Sequence, residues 1–153
     1  MAIHIVSGNL LEASEPYIGH QCNCMTIGKA AGLAKALFKK YPFANVYAKR
    51  TGPSDPGSYS MHGNGADQRY VVNFYAQDFP GKPKGPTDSK EARLQWLIQS
   101  VAAFARDSKS SELALPYGIG CGLAGGDQDV YFTALEKLAR EKSFSITFYS
   151  LTR

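Results

Sequence analysis

Five glycines fall within nine residues of the run Leu115-Pro116-Tyr117-Gly118-Ile119-Gly120-Cys121-Gly122-Leu123-Ala124-Gly125-Gly126-Asp127. Gly118, Gly120, Gly122, Gly125 and Gly126 allow backbone angles and a close approach that side chains block. A run of this kind between a strand and a helix turns backbone N–H groups and a helix N-terminus toward an anion, so the chemistry it suits is phosphate binding. The alternative is a flexible turn. The run is neither a Walker loop, since no Gly-Lys-Ser/Thr follows, nor a first-strand dinucleotide fingerprint.

A second stretch, Asn23-Cys24-Met25-Thr26-Ile27-Gly28-Lys29-Ala30-Ala31-Gly32-Leu33, also passes from a strand into a helix N-terminus. In an open α/β sheet two such loops converge at the carboxyl ends of the strands, where a diphosphate fits between them. His20 stands beside Asn23 at the end of the strand that feeds this loop, a position for a general acid or base or for a hydrogen-bonded core histidine. Asp127 reads either as a polar group that activates water or as the cap of the helix it precedes. His20, Cys22, Cys24 and Cys121 lack the C-x2-4-C spacing and closed four-ligand set of a structural zinc site. Buried, inert thiols and no metal are expected.

The elements that must carry these residues follow from periodicity and turn chemistry. Ala2 to Val6 is a short strand ending at Ser7-Gly8-Asn9, and Tyr17 to Cys24 is a second. Ala30 to Lys40 is a helix with Leu33, Ala34, Leu37 and Phe38 at helical spacing, interrupted by Tyr41-Pro42 before another short helix over Phe43 to Arg50. Ser58 to His62 and Arg69 to Ala76 form a hairpin around Gly63-Asn64-Gly65. Phe79 to Thr87 is a surface loop, either a ligand cover or a plain connector. Asp88 with Glu91 opens a helix that presents Leu94, Leu97, Ile98, Val101, Ala102 and Ala105 on one face and leaves Trp96 off it. Glu112 to Pro116 is a strand, Gln128 to Lys142 a helix and Ser145 to Leu151 the last strand. Strands alternating with helices, plus one hairpin, make a mixed-sheet α/β sandwich.

With 153 residues, 44% of them apolar and 20% charged, residues 1–153 form a single domain with a sizeable core rather than a disordered chain. No apolar stretch approaches the length of a membrane span and no basic leader precedes a long apolar region, so a cytoplasmic protein without a membrane partner is expected. The net charge of +4 is unevenly placed. No acidic residue lies between Glu15 and Asp55, an interval holding Lys29, Lys35, Lys39, Lys40, Lys49 and Arg50. Such a field attracts an anionic ligand, whether nucleotide, phosphate or nucleic acid; the alternative is a solvated helix face.

Gly8-Asn9-Leu10, His20-Gln21-Cys22-Asn23-Cys24, Ala31-Gly32-Leu33-Ala34, Lys40-Tyr41-Pro42, Pro116 to Leu123 and Thr147-Phe148-Tyr149-Ser150-Leu151 together resemble a macrodomain, in order and over nearly the whole chain. Within that family the chain is similar to the branch of ADP-ribose-1''-phosphate phosphatases and terminal ADP-ribose protein glycohydrolases. The resemblance implies a three-layer α/β/α sandwich with a mixed central sheet and ADP-ribose in a cleft across the strand ends. Asn9 and the backbone of Leu10 would meet the adenine, with Tyr149 against its ring. Gly118, Ile119, Gly120, Cys121, Gly122, Leu123 and Ala124 would cradle the diphosphate. The other loop, with Gly28, Ala31, Gly32 and Leu33, would close over the distal ribose. Many macrodomains carry Asp where this chain has Asn9, whose amide oxygen would accept from the adenine amino group without charge assistance.

The glutamate glycohydrolases of that branch use a Lys at the end of the hairpin strand and an Asp after the Gly-Cys-Gly-Leu stretch. This chain has Gln77 at the strand end and Ala124 after Leu123. It also lacks the Asp that follows the first glycine-rich loop in another class, reading Gly32-Leu33-Ala34. A phosphatase-like arrangement is left, with His20, Asn23 and Asp127 positioning or activating water. The expected activity is therefore hydrolysis of an ADP-ribose derivative without metal or cofactor, the partner being ADP-ribose or an ADP-ribosylated protein or nucleic acid. The alternative is a non-catalytic ADP-ribose reader.

Overall fold

The computed structural model describes residues 3–151. Six strands form one sheet: β1 (Ile3–Ser7), β2 (Tyr17–Asn23), β3 (Tyr59–His62), β4 (Tyr70–Gln77), β5 (Glu112–Pro116) and β6 (Ser145–Ser150). Their spatial order is β1-β6-β5-β2-β4-β3. Every pairing is parallel except β3 with β4, the expected hairpin. The helices are α1 (Gly32–Lys40), α2 (Val46–Lys49), α3 (Lys90–Ser108) and α4 (Gln128–Lys142).

Helices α3 and α4 cover one face of the sheet, where Phe74, Leu97, Val101, Phe104, Leu115, Leu135 and Phe148 are buried together. Helices α1 and α2 cover the other, over Ile18, Cys22, Leu37, Phe38, Tyr47 and Tyr75. This is the expected three-layer α/β/α sandwich with a mixed sheet. Gly19 is needed inside β2 because a Cβ there would lie 2.5 Å from the Phe74 ring and 2.9 Å from Leu115. Neighbouring parallel strands end on the same edge of the sheet. The loops that leave β2 and β5 are therefore brought side by side, with the ends of β1 and β6 beside them.

Several boundaries differ from expectation for local reasons. Of the first strand, Ala2 lies outside the described residues. The second strand stops at Asn23 and the first helix starts at Gly32, with Ala31 as its extended N-cap. The single helix expected over Phe43 to Arg50 is two pieces, a 3-10 turn at Pro42–Ala44 and α2, because Asn45 caps the second with its side chain on the Ala48 N–H. Ser89 caps α3 by accepting from Ala92, and Asp88 is instead buried against Arg93. The buried face of α3 includes Arg93 and Ser100, which an apolar stripe does not reveal, and Phe104, which is at helical spacing from Leu97 and Val101 and completes the stripe. The last strand ends at Ser150, leaving Leu151 78% exposed.

Candidate functional site

The loop after β2 is held from below. Asn23 Oδ1 accepts the N–H groups of Met25 (2.9 Å) and Thr26 (2.7 Å), which bends the chain out of the strand. Its own N–H donates to the Tyr47 hydroxyl at 2.9 Å. Arg50, buried between the rings of Tyr47 and Tyr75, donates to the carbonyls of Asn23 and Thr26 and to Ser54 Oγ. Helix α1, which this loop enters, has no side-chain cap, and among the described residues the N–H groups of Gly32, Leu33 and Ala34 have no acceptor.

The glycine-rich loop after β5 is a series of tight turns. The N–H groups of Ile119, Cys121, Gly125 and Gly126 bond to the carbonyls of Pro116, Gly118, Gly122 and Gly120. Among the described residues, those of Gly118, Gly120, Gly122, Leu123 and Ala124 find no backbone or side-chain acceptor. Gly118 (φ +101°) and Gly120 (φ +76°) occupy the left-handed region that side chains disfavour. The two loops meet where the Leu123 side chain crosses Gly32, whose missing Cβ would lie 3.1 Å from Leu123 Cδ1.

Two cavities lie along this edge, parted by Leu33, Pro116 and Tyr117, which line both. One, of about 590 Å³, is bounded by Ile5, Asn9, Leu10, Gln128 and Tyr149. The other, of about 450 Å³, is walled by the β2 loop and the glycine-rich loop and edged by Pro80 and Gly81. Among the described residues no carboxylate lines either cavity, and the one cation on their walls is Lys29.

No protein-family model and no curated protein matches the sequence. Solved structures do. The macrodomain of Mycobacterium tuberculosis DarG superposes with a TM-score of 0.77 at 21% identity, covering 97% of this chain and 96% of that one. That of Thermus aquaticus DarG gives 0.75 at 20% identity, covering 97% of each. The fold is that of a macrodomain. A Trypanosoma brucei macrodomain solved in complex with ADP-ribose superposes with a TM-score of 0.70 at 14% identity, over 98% of this chain and 64% of that one.

On this macrodomain fold the ligand-loop residues Ala31, Gly32, Leu33 and Gly118 to Ala124 line the second cavity, and Asn9, Leu10 and Tyr149 line the first. Gly28 lines neither; its N–H is tied to Tyr47 O at 2.9 Å and its φ of +108° serves the turn. Asn9 Oδ1 is not a free acceptor, because it caps a 3-10 turn by accepting the Leu11 N–H at 3.0 Å. Tyr149 is steadied by a 2.6 Å hydrogen bond from its hydroxyl to Glu15 Oε1.

The three polar residues assigned to water activation part company. Asn23 and His20 line the second cavity, whereas Asp127 is exposed and caps α4 through the N–H groups of Asp129 and Val130. With α4 capped, the helix terminus open to an anion is that of α1. The His20 ring is 1% exposed and packs edge-on to Phe38. Asn73 Nδ2 is committed to Ala44 O, so its Oδ1 is the acceptor and His20 Nε2–H donates to it at 2.6 Å. Burial, opposed by that hydrogen bond and reinforced by His62, lowers its pKa to about 4. The imidazole is neutral at pH 7.

This histidine makes stability pH-dependent. The unfolded chain binds a proton near pH 6.5 that the folded chain refuses until about 4, so stability is complete above 6.5 and declines as pH falls to 4. The loss is roughly 3 kcal/mol. Urea unfolding at pH 7 and pH 4.5 reads it, and His20→Gln is expected to remove that slope whatever its absolute stability. Equal wild-type stability at the two pH values would contradict the buried neutral assignment.

Cys22 and Cys24 are buried free thiols, pushed up to about 12 chiefly by burial. Cys121 lines the second cavity, and burial with the Asp127 charge raises it to about 11. None is a thiolate at neutral pH. Among the described residues no three metal-ligating side chains cluster. Of the basic interval, Lys40 and Lys49 bond to the carbonyls of Leu11 and Phe43, and Arg50 is a clamp; Lys29 alone of the six faces the cleft.

Sequence reasoning missed Arg50, Arg93 and the amide pair Gln21–Gln77. Gln21 Nε2 donates to Gln77 Oε1 and Gln77 Nε2 to Phe79 O, both at 2.8 Å, on the wall of the second cavity. Gln77, at the strand end where the glycohydrolases place Lys, is a buried structural amide. No local motif marks these residues: Gln77 and Arg93 have near partners in Phe79 and Asp88, but Arg50 reaches Asn23, Arg93 reaches Ala124 and Gln21 reaches Gln77 only through the fold.

Proposed function

We propose that this chain binds ADP-ribose across the two cavities. The nucleoside occupies the cavity of Asn9 and Tyr149, the diphosphate lies on the glycine-rich loop, and the distal ribose sits under the β2 loop. The observation that carries this is the set of N–H groups of Gly118, Gly120, Gly122, Leu123 and Ala124, without acceptors among the described residues, on the wall of the second cavity beside the start of α1. The fold supports it, and a T. brucei protein of this fold was solved with ADP-ribose.

Hydrolysis of an ADP-ribose derivative is the second reading, favoured by Asn23. Its oxygen is fixed by the loop, which leaves the amide NH2 to orient water or a terminal phosphate at the distal end. Here Asn23 binds and orients, while neutral His20 holds the strand end. Asp127 and His20 are the weaker parts of the original catalytic set, one as a cap and one as a core residue.

A thermal-stability titration tests the binding. ADP-ribose at 100 times its dissociation constant is expected to stabilise the native state by about 2.7 kcal/mol, with smaller effects of AMP and ADP at equal concentration. No selective shift would end this reading. Product analysis with ADP-ribose 1''-phosphate and an ADP-ribosylated protein and oligonucleotide then separates hydrolase from reader, activity being expected to fall with Asn23→Ala.

A further inference from the structure

Among the described residues two cations are buried, and the fold treats them differently. Arg93 is paired with the Asp88 carboxylate. Arg50, 8% exposed, has no carboxylate at ion-pair distance among the described residues. Its donors reach neutral oxygens, the carbonyls of Asn23 and Thr26 at 3.0 Å and Ser54 Oγ at 2.9 Å, and its Nε finds no acceptor. Asp55 and Asp78 belong to the same neighbourhood, since both act with Arg50 on the Cys24 thiol. Asp55 is exposed and Asp78 half-buried, so solvent screens much of their charge. A cation held out of water without a counter-ion is costly. The carbonyl dipoles and the flanking rings of Tyr47 and Tyr75 offset part of that cost and leave the net charge in place.

That charge lies under the second cavity. Asn23, Thr26 and Tyr47, which the guanidinium touches, all line the cavity. Lys29 is on the wall, and among the described residues no carboxylate is. The formal charges on the wall and beneath the β2 loop are therefore both positive. What the fold withholds from Arg50, an anion in the cavity would supply.

We propose that Arg50 is a buried counter-charge for the anionic ligand, acting through the Asn23 to Thr26 loop without touching the ligand. The inference rests on the cleft binding ADP-ribose as set out above. At an effective dielectric constant of about 20, two unit charges roughly 12 Å apart still change affinity about tenfold. A clamp and a counter-charge respond in opposite ways to a carboxylate set beside the guanidinium. Ser54 Oγ accepts from Arg50 Nη2, so Ser54→Asp places one there, tightening the clamp while cancelling its charge. Ser54→Asn fills the same space without charge.

Calorimetric titration with ADP-ribose, with melting curves of the same samples, tests this. Ser54→Asp is expected to melt higher than Ser54→Asn and to bind ADP-ribose about tenfold more weakly. Arg50→Gln, which keeps a donor and loses the charge, is expected to show a similar loss of affinity; where it melts too low to titrate, the Ser54 pair decides alone. Ser54→Asp that binds as tightly as Ser54→Asn, or more tightly, overturns the proposal, leaves Arg50 a clamp and leaves the binding function standing. A lower melting temperature for Ser54→Asp than for Ser54→Asn also overturns it, because an uncompensated cation gains from a carboxylate. Wild-type protein that binds no ADP-ribose overturns the proposal together with the function beneath it.

Discussion

Arg93→Met is expected to lower folding stability by about 3–5 kcal/mol, the cost of removing one member of a buried ion pair. Arg93 and Asp88 are 1% and 0% exposed. The guanidinium meets the carboxylate through two hydrogen bonds, Nε to Oδ1 at 2.8 Å and Nη2 to Oδ2 at 2.7 Å. Its remaining donors reach the carbonyls of Phe79, Gly81, Lys82 and Ala124. The carboxylate also accepts from the N–H groups of Asp78 and Phe79. Without the cation, Asp88 keeps a buried charge and the carbonyls of Gly81, Lys82 and Ala124 lose their donor, while that of Phe79 keeps Gln77.

Burial alone would raise the Asp88 pKa, but the Arg93 hydrogen bonds and the two backbone N–H groups outweigh it and hold the carboxyl below the usual range. That stability is present above the ordinary aspartate pKa and is lost as pH falls through the depressed one, a window below that of His20. Urea denaturation of Arg93→Met, Asp88→Asn and the double variant checks the assignment. The double variant is expected to be more stable than Arg93→Met, because the uncompensated charge is gone. A double variant no better than Arg93→Met would show that the loop contacts, not the charge, dominate. ADP-ribose binding should weaken in Arg93→Met, since Arg93 is what fastens the Phe79 to Thr87 segment to Ala124 of the glycine-rich loop. That segment is thus more than a connector, although the residue that makes it so lies outside it.

Gly120→Ala is expected to cost about 2–5 kcal/mol and to weaken ADP-ribose binding at least a hundredfold. The backbone is left-handed here, at φ +76°, which costs a side chain about 1–2 kcal/mol. The added Cβ would also lie 2.5 Å from the buried Tyr131 ring and 2.8 Å from Gln21 Oε1, an overpacking worth about 1–3 kcal/mol. Relief requires the peptide to move, and with it one of the unpaired N–H donors and the Gly126 N–H bond to Gly120 O. Gly122→Ala, with no heavy atom within 4 Å of the new Cβ, is the stability control, expected within about 1 kcal/mol of wild type. Thermal melts with and without ADP-ribose read both effects. Wild-type binding by Gly120→Ala would remove the glycine-rich loop from the diphosphate site.

What could be read in the sequence was what repeats or breaks locally. The 3.6 and 2.0 periodicities marked helices and strands, and glycine runs between them marked the loops that face a ligand, because backbone geometry depends on near neighbours. Turn-level competition escaped that reading: Asp88 and Ser89 are equally plausible caps, and it is Arg93, one helical turn on and itself buried by the fold, that takes Asp88 away. The apolar stripe of α3 likewise omitted Arg93, since a buried cation satisfied by carbonyls carries no apolar signature.

By itself, then, the sequence determined the order of elements, the layered α/β architecture and the pair of loops that meet at the strand ends. Tertiary structure alone decided the state of the polar groups. His20 is a neutral core residue because Asn73 and Phe38 enclose it, Asp127 is a cap because α4 begins where it does, and Asn9 shows its NH2 because Leu11 holds its oxygen. Residue type lists the donors and acceptors a side chain owns. Which of them are left for a ligand depends on the partners that folding brings within 3 Å or so, and those partners are set by the packing of the whole chain.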